Sequence, residues 1–265
     1  SLYCRLEFQP ALASSWEWSD GGQTLTLHLV EDLTWQDGQA VDAADVLFTL
    51  QLVTDPAAAS PVGGRLTSLD PARPPEQIDA HTVVLHYAEP GDPTALMADI
   101  ARCLVLPEHV LRDVPLADLR AADFSEAPVS TGPFVLDRWE RGLEIVLKRR
   151  PDHPAGPLLD RVVFRIISDP SARAIAFENG DVDMLIGPDI STLSRLRDNR
   201  PDAQVLRRGY RFLEYIGWNL RDPRFADVRV RRALAHAVDT DTIIAALLTS
   251  GDERFATRAT GTISP

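Results

Sequence analysis

Hydrophobic and polar positions along the first part of the chain follow two different periods. Residues 24–30 alternate polar and apolar side chains with a period of two, which is typical of a strand with one buried face. Trp16 and Trp18 show the same spacing and predict an earlier strand, and residues 20–22 (DGG) predict the turn between the two strands. The chain therefore begins with a predicted pair of strands.

A helical period follows at residue 42. Asp42 can accept hydrogen bonds from free N–H groups at a helix start, and Asp45 lies three residues later, near the positive end of the helix dipole. Four apolar residues between positions 46 and 53 recur at helical spacing. This pattern predicts a helix that begins after Asp42 and packs against the sheet.

Residues 55–80 are rich in Pro, Ala, Gly and Ser and predict a loop. Residues 82–87 then predict another strand. Short helices are expected after Pro107 and after Pro115, because proline suits the first turn of a helix.

The stretch STGPFVLDRWERGLEIVLKRR, residues 130–150, predicts a strand, a turn and a strand. Pro133 fixes its own φ and biases Gly132 toward extended geometry, so the entry into the hairpin is stiff. The strands are expected at 134–139 and 143–149.

The remainder of the chain interleaves both periods, which indicates a mixed α/β fold. Helices are expected at 171–179, with Gly180 at the stop, at 191–199, at 228–237 and from Asp239 or Asp241 onward. Strands are expected at 162–167, 182–186 and 212–218.

Charge and composition narrow the classes of partner. The net charge of −12 argues against nucleic acid and against anionic lipid surfaces as partners. No run of residues approaches the length of a membrane span, and the first six residues lack the pattern of a signal peptide. Two cysteines, Cys4 and Cys103, are too few to predict a disulfide framework, and their pairing is left open.

Motifs of catalysis and cofactor binding are not found in the sequence. It contains no phosphate-binding glycine loop, no zinc-binding His-Glu-x-x-His, no Cys-x-x-Cys and no Gly-x-Ser-x-Gly. The six histidines are scattered, which favours structural or surface roles over metal binding. We therefore expect no cofactor, no metal and no enzymatic activity.

Five motifs, in order, resemble the family 5 extracellular solute-binding proteins, the dipeptide- and oligopeptide-binding receptors of ABC importers. They are residues 10–16 (PALASSW), 33–46 (LTWQDGQAVDAADV), 130–134 (STGPF), 176–183 (AFENGDVD), and Asn219 followed by 225–239 (FADVRVRRALAHAVD). One departure follows the hairpin: the family usually carries Asn-Pro-x-Tyr-Trp, and this sequence has RRPDHP at 149–154.

The resemblance implies an α/β fold of the periplasmic-binding-protein type (type II, cluster C), with a first lobe, an accessory α+β domain and mixed sheets. It implies that residues 1–128 form the small accessory domain with the start of the first lobe, and that residues 129–265 form the α/β domain of that lobe. It also implies that the chain stops where the family crosses into a second lobe, which would be missing here.

The same resemblance implies the substrate-binding component of an ABC importer. Such a receptor closes two lobes on a peptide-like or other small solute and delivers it to a membrane permease. We expect a monomer in the extracellular or periplasmic space, with or without a lipid anchor. A sensor or regulatory domain, or an envelope regulator without transport, is the alternative use of the scaffold. Peptide, nickel complex, sugar and opine remain open as the solute.

Candidate ligand-binding residues are placed by the resemblance in loops at strand ends. They are Ile186, Gly187, Tyr210, Arg211, Trp218 and Asn219. Packing in the core is the alternative role for Tyr210 and Trp218.

Overall fold

The computed structural model describes residues 7–119, 122–206, 215–250 and 253–258. These residues fall into two compact units, one that ends at Arg165 and one that begins at Ile166. The predicted domain boundary between residues 128 and 129 lies within the first unit and stays a prediction.

The first unit contains a four-stranded antiparallel sheet in the order β1-β2-β4-β3. Its strands are β1 (Ala13–Ser19), β2 (Thr24–Leu29), β3 (Glu76–Asp79) and β4 (Thr82–His86). Leu25, Leu27 and Leu29 are buried on one face of β2, as the period of two predicts. The predicted strands around Trp16, at 24–30 and at 82–87 are thereby confirmed.

Helix α1 (Ala43–Thr54) begins where the sequence predicts. Asp42 accepts a hydrogen bond from the N–H of Ala44, and the side chain of Asp45 accepts one from the N–H of Asp42. Val46 and Leu50 of α1 belong to the same buried cluster as Val83 and Leu85 of β4. Burial of this apolar stripe against the sheet stabilises the helix beyond its caps.

Residues 55–80 contain more structure than the predicted loop. Two 3₁₀ turns, at residues 56–58 and 63–65, are followed by the buried Leu66 and then by β3. The sequence of β3 gave no strand signal because all four of its residues are exposed, at the edge of the sheet. Beyond the sheet lie α2 (Pro93–Ile100) and α3 (Glu108–Leu111).

Helix α3 confirms the predicted helix after Pro107, but the one predicted after Pro115 is wrong within residues 116–119. A single turn, closed by the N–H of Asp118 on the carbonyl of Pro115, is found there instead.

The predicted hairpin is confirmed and forms most of a second antiparallel sheet. Its strands are β5 (Phe134–Glu140), β6 (Glu144–Arg149) and β7 (Arg161–Arg165) in that order. Gly142 has a φ of +76° in the connecting turn, a conformation that favours glycine. The expected mixed sheets are not found: every strand pair in the described part of the chain is antiparallel, since tight turns join most partners.

The second unit is mainly helical. It contains α4 (Pro170–Glu178), α5 (Ile190–Asn199), α6 (Val228–Ala237), α7 (Thr240–Leu247) and the short pair β8 (Thr249–Ser250) and β9 (Glu253–Arg254). An aspartate caps the start of each helix, namely Asp169, Asp189, Asp227 and Asp239. The four predicted helices are confirmed.

Two predicted strands of this unit are wrong. The first was predicted at residues 182–186, which lie in no strand. The second was predicted at residues 212–218. Its residues 215–218 lie in no strand, and residues 212–214 fall outside the described residues. The apolar run at 182–186 suggested burial, but the side chains of Met184 and Ile186 are 68% and 71% exposed. An apolar run forms a strand only where a neighbouring strand accepts and donates its backbone hydrogen bonds, and no such strand pairs with residues 182–186 among the described residues.

Candidate functional site

A small cavity in the second unit contains two of the predicted ligand-binding residues. Its volume is about 140 Å³. It is lined by Pro170 and Arg173 of α4, by residues 185–188 (LIGP) of the connecting loop, and by Asp189 and Thr192 at the start of α5. Ile186 and Gly187 therefore both line this cavity, and their role in ligand binding stays a prediction.

The loop from 185 to 188 owes its path to Gly187, whose φ of +62° lies in the left-handed region. The loop turns sharply there, and Ile186 is left largely exposed beside the cavity. An exposed glycine and an exposed isoleucine offer backbone polar groups and an apolar surface to a bound molecule.

Arg173 carries the positive charge of the cavity. The residue is half-buried, and its Nε atom is buried without a hydrogen-bond partner. Sequence reasoning missed this residue, because an arginine within an amphipathic helix looks like any solvated charge. The segment in which it lies, ARAIAF at 172–177, contained no separate signal for a site.

Asp189 carries the negative charge of the cavity, and its carboxylate accepts hydrogen bonds from the first turn of its own helix, α5. Its carboxylate accepts hydrogen bonds from the N–H of Thr192 at 2.7 Å and from the hydroxyls of Ser191 at 2.7 Å and Thr192 at 3.0 Å. These donors, with the backbone N–H of Thr192 as the largest cause, lower the pKa of Asp189 to about 2.

Trp218 and Asn219 lie apart from this cavity. The half-buried ring of Trp218 packs against Phe225, with the ring centroids 5.3 Å apart. Asn219 closes a turn: its Oδ1 accepts from the N–H of Arg221, and its carbonyl accepts from the N–H of Asp222. Tyr210 and Arg211 lie outside the described residues.

A second, larger cavity lies in the first unit and was not predicted. Its volume is about 590 Å³. It is lined by Val110, Leu111, Val114, Asp118, Ala122, Asp123 and Phe124. Residues 120 and 121 are outside the described residues.

Neither a candidate metal site nor a membrane-spanning helix is found among the described residues. No cluster of three or more His, Cys, Asp or Glu side chains in that part could hold a metal ion. No helix in that part is both long enough and apolar enough to cross a membrane.

Burial raises the pKa of the Cys103 thiol, which favours its protonated form. Cys4 lies outside the described residues.

Comparison with known proteins places the chain in a family. The family described as "Bacterial extracellular solute-binding proteins, family 5 Middle" matches residues 7–265. The chain belongs to this family, as the motif order implied. Its members are extracellular solute-binding proteins, a class of transport proteins.

Individual relatives agree with this assignment. The oligopeptide-binding protein AppA of Bacillus subtilis is 29% identical over 258 residues, which cover 95% of this chain and 46% of AppA. The solved structure of AppA with a nonapeptide is 25% identical and has a TM-score of 0.72, over 89% of this chain and 46% of AppA.

A third comparison concerns the structure of MoaA from A. tumefaciens R10 with mannopinic acid. It is 28% identical with a TM-score of 0.70, over 89% of this chain and 47% of MoaA. The chain spans about half the length of the relatives it matches. These likenesses confirm the predicted fold class, a periplasmic-binding-protein fold with part of its first lobe.

Proposed function

We propose that the chain is the solute-binding component of an ABC importer and that its solute is a peptide. The observation that carries the proposal is the family match, which covers every described residue. The match runs through helix α1, the hairpin of β5 and β6 and the four capped helices of the second unit, so the chain shares about half of the scaffold of these solute receptors.

The choice of peptide rests on AppA, an oligopeptide-binding protein whose structure holds a nonapeptide. MoaA, at similar identity, is found with mannopinic acid. The same scaffold therefore accepts different solutes, and an opine-like acid is the comparator that a binding experiment must include.

The cavity at Ile186 and Gly187 is the proposed part of the solute site in this chain. Gly187 presents its backbone without a covering side chain, and Ile186 presents an exposed apolar group. Tyr210, Arg211, Trp218 and Asn219 remain predictions as further contacts. The packing of Trp218 on Phe225 and the turn at Asn219 support structural roles for these two residues.

The proposed setting follows from the family. The receptor acts outside the cytoplasm as a monomer, with or without a lipid anchor, and passes its solute to a membrane permease. It is not an enzyme. The net charge of −12 agrees with a role that involves no nucleic acid.

A thermal-shift screen and an uptake assay test the proposal together. The chain is heated with di- to pentapeptides, mannopinic acid, oligosaccharides and nickel chelates; a ligand at 100 times its Kd adds roughly 2.7 kcal/mol of stability. Deletion of the gene should abolish uptake of a labelled peptide that shifts the transition, and the intact gene should restore it. Unchanged peptide uptake after deletion would contradict the proposal, whichever ligands bind.

A further inference from the structure

We propose that Arg173 is a carboxylate anchor, which holds the carboxylate of a solute in the cavity beside Gly187. This inference rests on the proposed function and adds the chemical class of the group that the cavity recognises. Arg173 is the cationic residue of that lining, and its guanidinium makes no hydrogen bond or ion pair with another described residue.

A buried donor without an acceptor is unusual in a folded protein, because its desolvation is not compensated. No ion pair among the described residues includes Arg173, although it shares a cavity with Asp189. Neighbouring arginines behave differently. Four of them are paired with carboxylates: Arg195 with Glu178, Arg200 with Asp202, Arg224 with Asp222 and Arg229 with Asp227.

The size and the lining of the cavity suit a carboxylate. A volume of about 140 Å³ corresponds to roughly four or five waters at about 30 Å³ each, which accommodates a carboxylate with the carbons next to it. The guanidinium fork matches the two oxygens of a carboxylate. Pro170, Leu185 and Pro188 supply apolar walls that limit competing water.

Asp189 sets a limit on how strongly an anion binds. Its carboxylate lines the same cavity and stays charged, since the donors of Ser191 and Thr192 lower its pKa to about 2. A negative charge there opposes an incoming anion. The Asp189→Asn variant keeps a side-chain oxygen for the helix cap and removes that charge, so it should bind carboxylates at least threefold more tightly.

The direct test follows the Nε–H resonance of Arg173 by NMR in the 265-residue chain. Sodium acetate, the dipeptide Ala-Ala and its C-terminal amide are titrated separately, each against sodium chloride at equal ionic strength. Acetate and Ala-Ala should shift the resonance saturably, whereas the amide and chloride should not. Arg173→Lys keeps the charge without the fork and should weaken acetate binding at least tenfold, while Arg232→Lys, at an exposed position of α6, should leave it unchanged.

Two outcomes of the NMR titration would overturn the proposal. The absence of a saturable shift at Arg173 in the unmodified chain overturns the anchor, and so does equal binding of the amide. This readout needs no variant, so misfolding of Arg173→Lys cannot obscure it. Loss of the anchor would leave the importer function standing, because gene deletion and peptide uptake test that function separately.

Discussion

The indole Nε1 of Trp35 donates a 3.0 Å hydrogen bond to Oδ2 of Asp45, and both residues are almost completely buried. The same carboxylate accepts from the N–H of Asp42 at 3.2 Å and from the N–H of Glu108 at 2.8 Å. One side chain therefore joins the turn at Trp35, the start of α1 and the start of α3.

Removal of this carboxylate should destabilise the first unit severely. We expect Asp45→Ala to lower the free energy of unfolding by about 3 kcal/mol or more, because three donors lose a charged acceptor inside the protein. Urea unfolding measures the difference. Asp55→Ala removes an exposed capping carboxylate and should cost about 1 kcal/mol or less. Equal effects of the two variants would contradict a special role for Asp45.

Arg150 makes a second long-range link, to Thr34, which lies 116 residues away in the sequence. Its guanidinium donates to the carbonyl of Thr34 at 2.9 Å and to the Thr34 hydroxyl at 2.6 Å. The residue is 8% exposed and lies where the sequence departs from the family pattern. These bonds tie the end of β6 to the segment before α1.

We expect Arg150→Ala to lower the free energy of unfolding by about 2 kcal/mol, because Thr34 loses buried donors and the stem of Arg150 no longer packs. Arg149→Ala is the matched control, since Arg149 is 40% exposed on the side chain and pairs with the exposed Asp160. It should cost about 0.5 kcal/mol or less. Similar midpoints for both variants in urea would show that the Thr34 contact does not stabilise the protein.

The helices and hairpins could be predicted from the local sequence. Features that depend on contacts between distant parts of the chain could not. The cap at Asp42 and the period of β2 are visible within ten residues of sequence. The edge strand β3 was missed because its side chains are all exposed. The run at 182–186 was mistaken for a strand because an apolar segment does not reveal whether a partner strand exists.

The candidate site divides in the same way. Ile186 and Gly187 were named through the family resemblance, and the structure places both on one cavity. Arg173 was missed, because only the packing of α4 beside the 185–188 loop shows that its Nε lacks an acceptor. A helical pattern cannot distinguish such an arginine from a solvated one.

Gly63 marks a close approach between a turn and α1. A Cβ atom there would lie 2.0 Å from the carbonyl oxygen of Val53, whereas a Cβ at Gly64 would meet open space. We therefore expect Gly63→Ala to cost about 2–3 kcal/mol through forced backbone movement, and Gly64→Ala to stay within about 0.5 kcal/mol. Thermal unfolding of the pair checks this. A neutral Gly63→Ala would mean that the turn is free to move away from α1.

Acid should destabilise α5 in a pH window set by Asp189. The pKa of its carboxyl falls from 3.8 to about 2 in the folded chain, chiefly because the backbone N–H of Thr192 donates to the charged form. A depressed folded pKa contributes stability that is present above the unfolded value near 3.8 and is lost as the pH falls through 2. The melting temperature should therefore fall between pH 4 and pH 2, and it should fall less in Asp189→Asn, which has no charge to lose. Carboxyl NMR of Asp189 gives the pKa directly; a titration near 3.8, or parallel acid profiles for the two proteins, would contradict the assignment of this capping interaction as the cause.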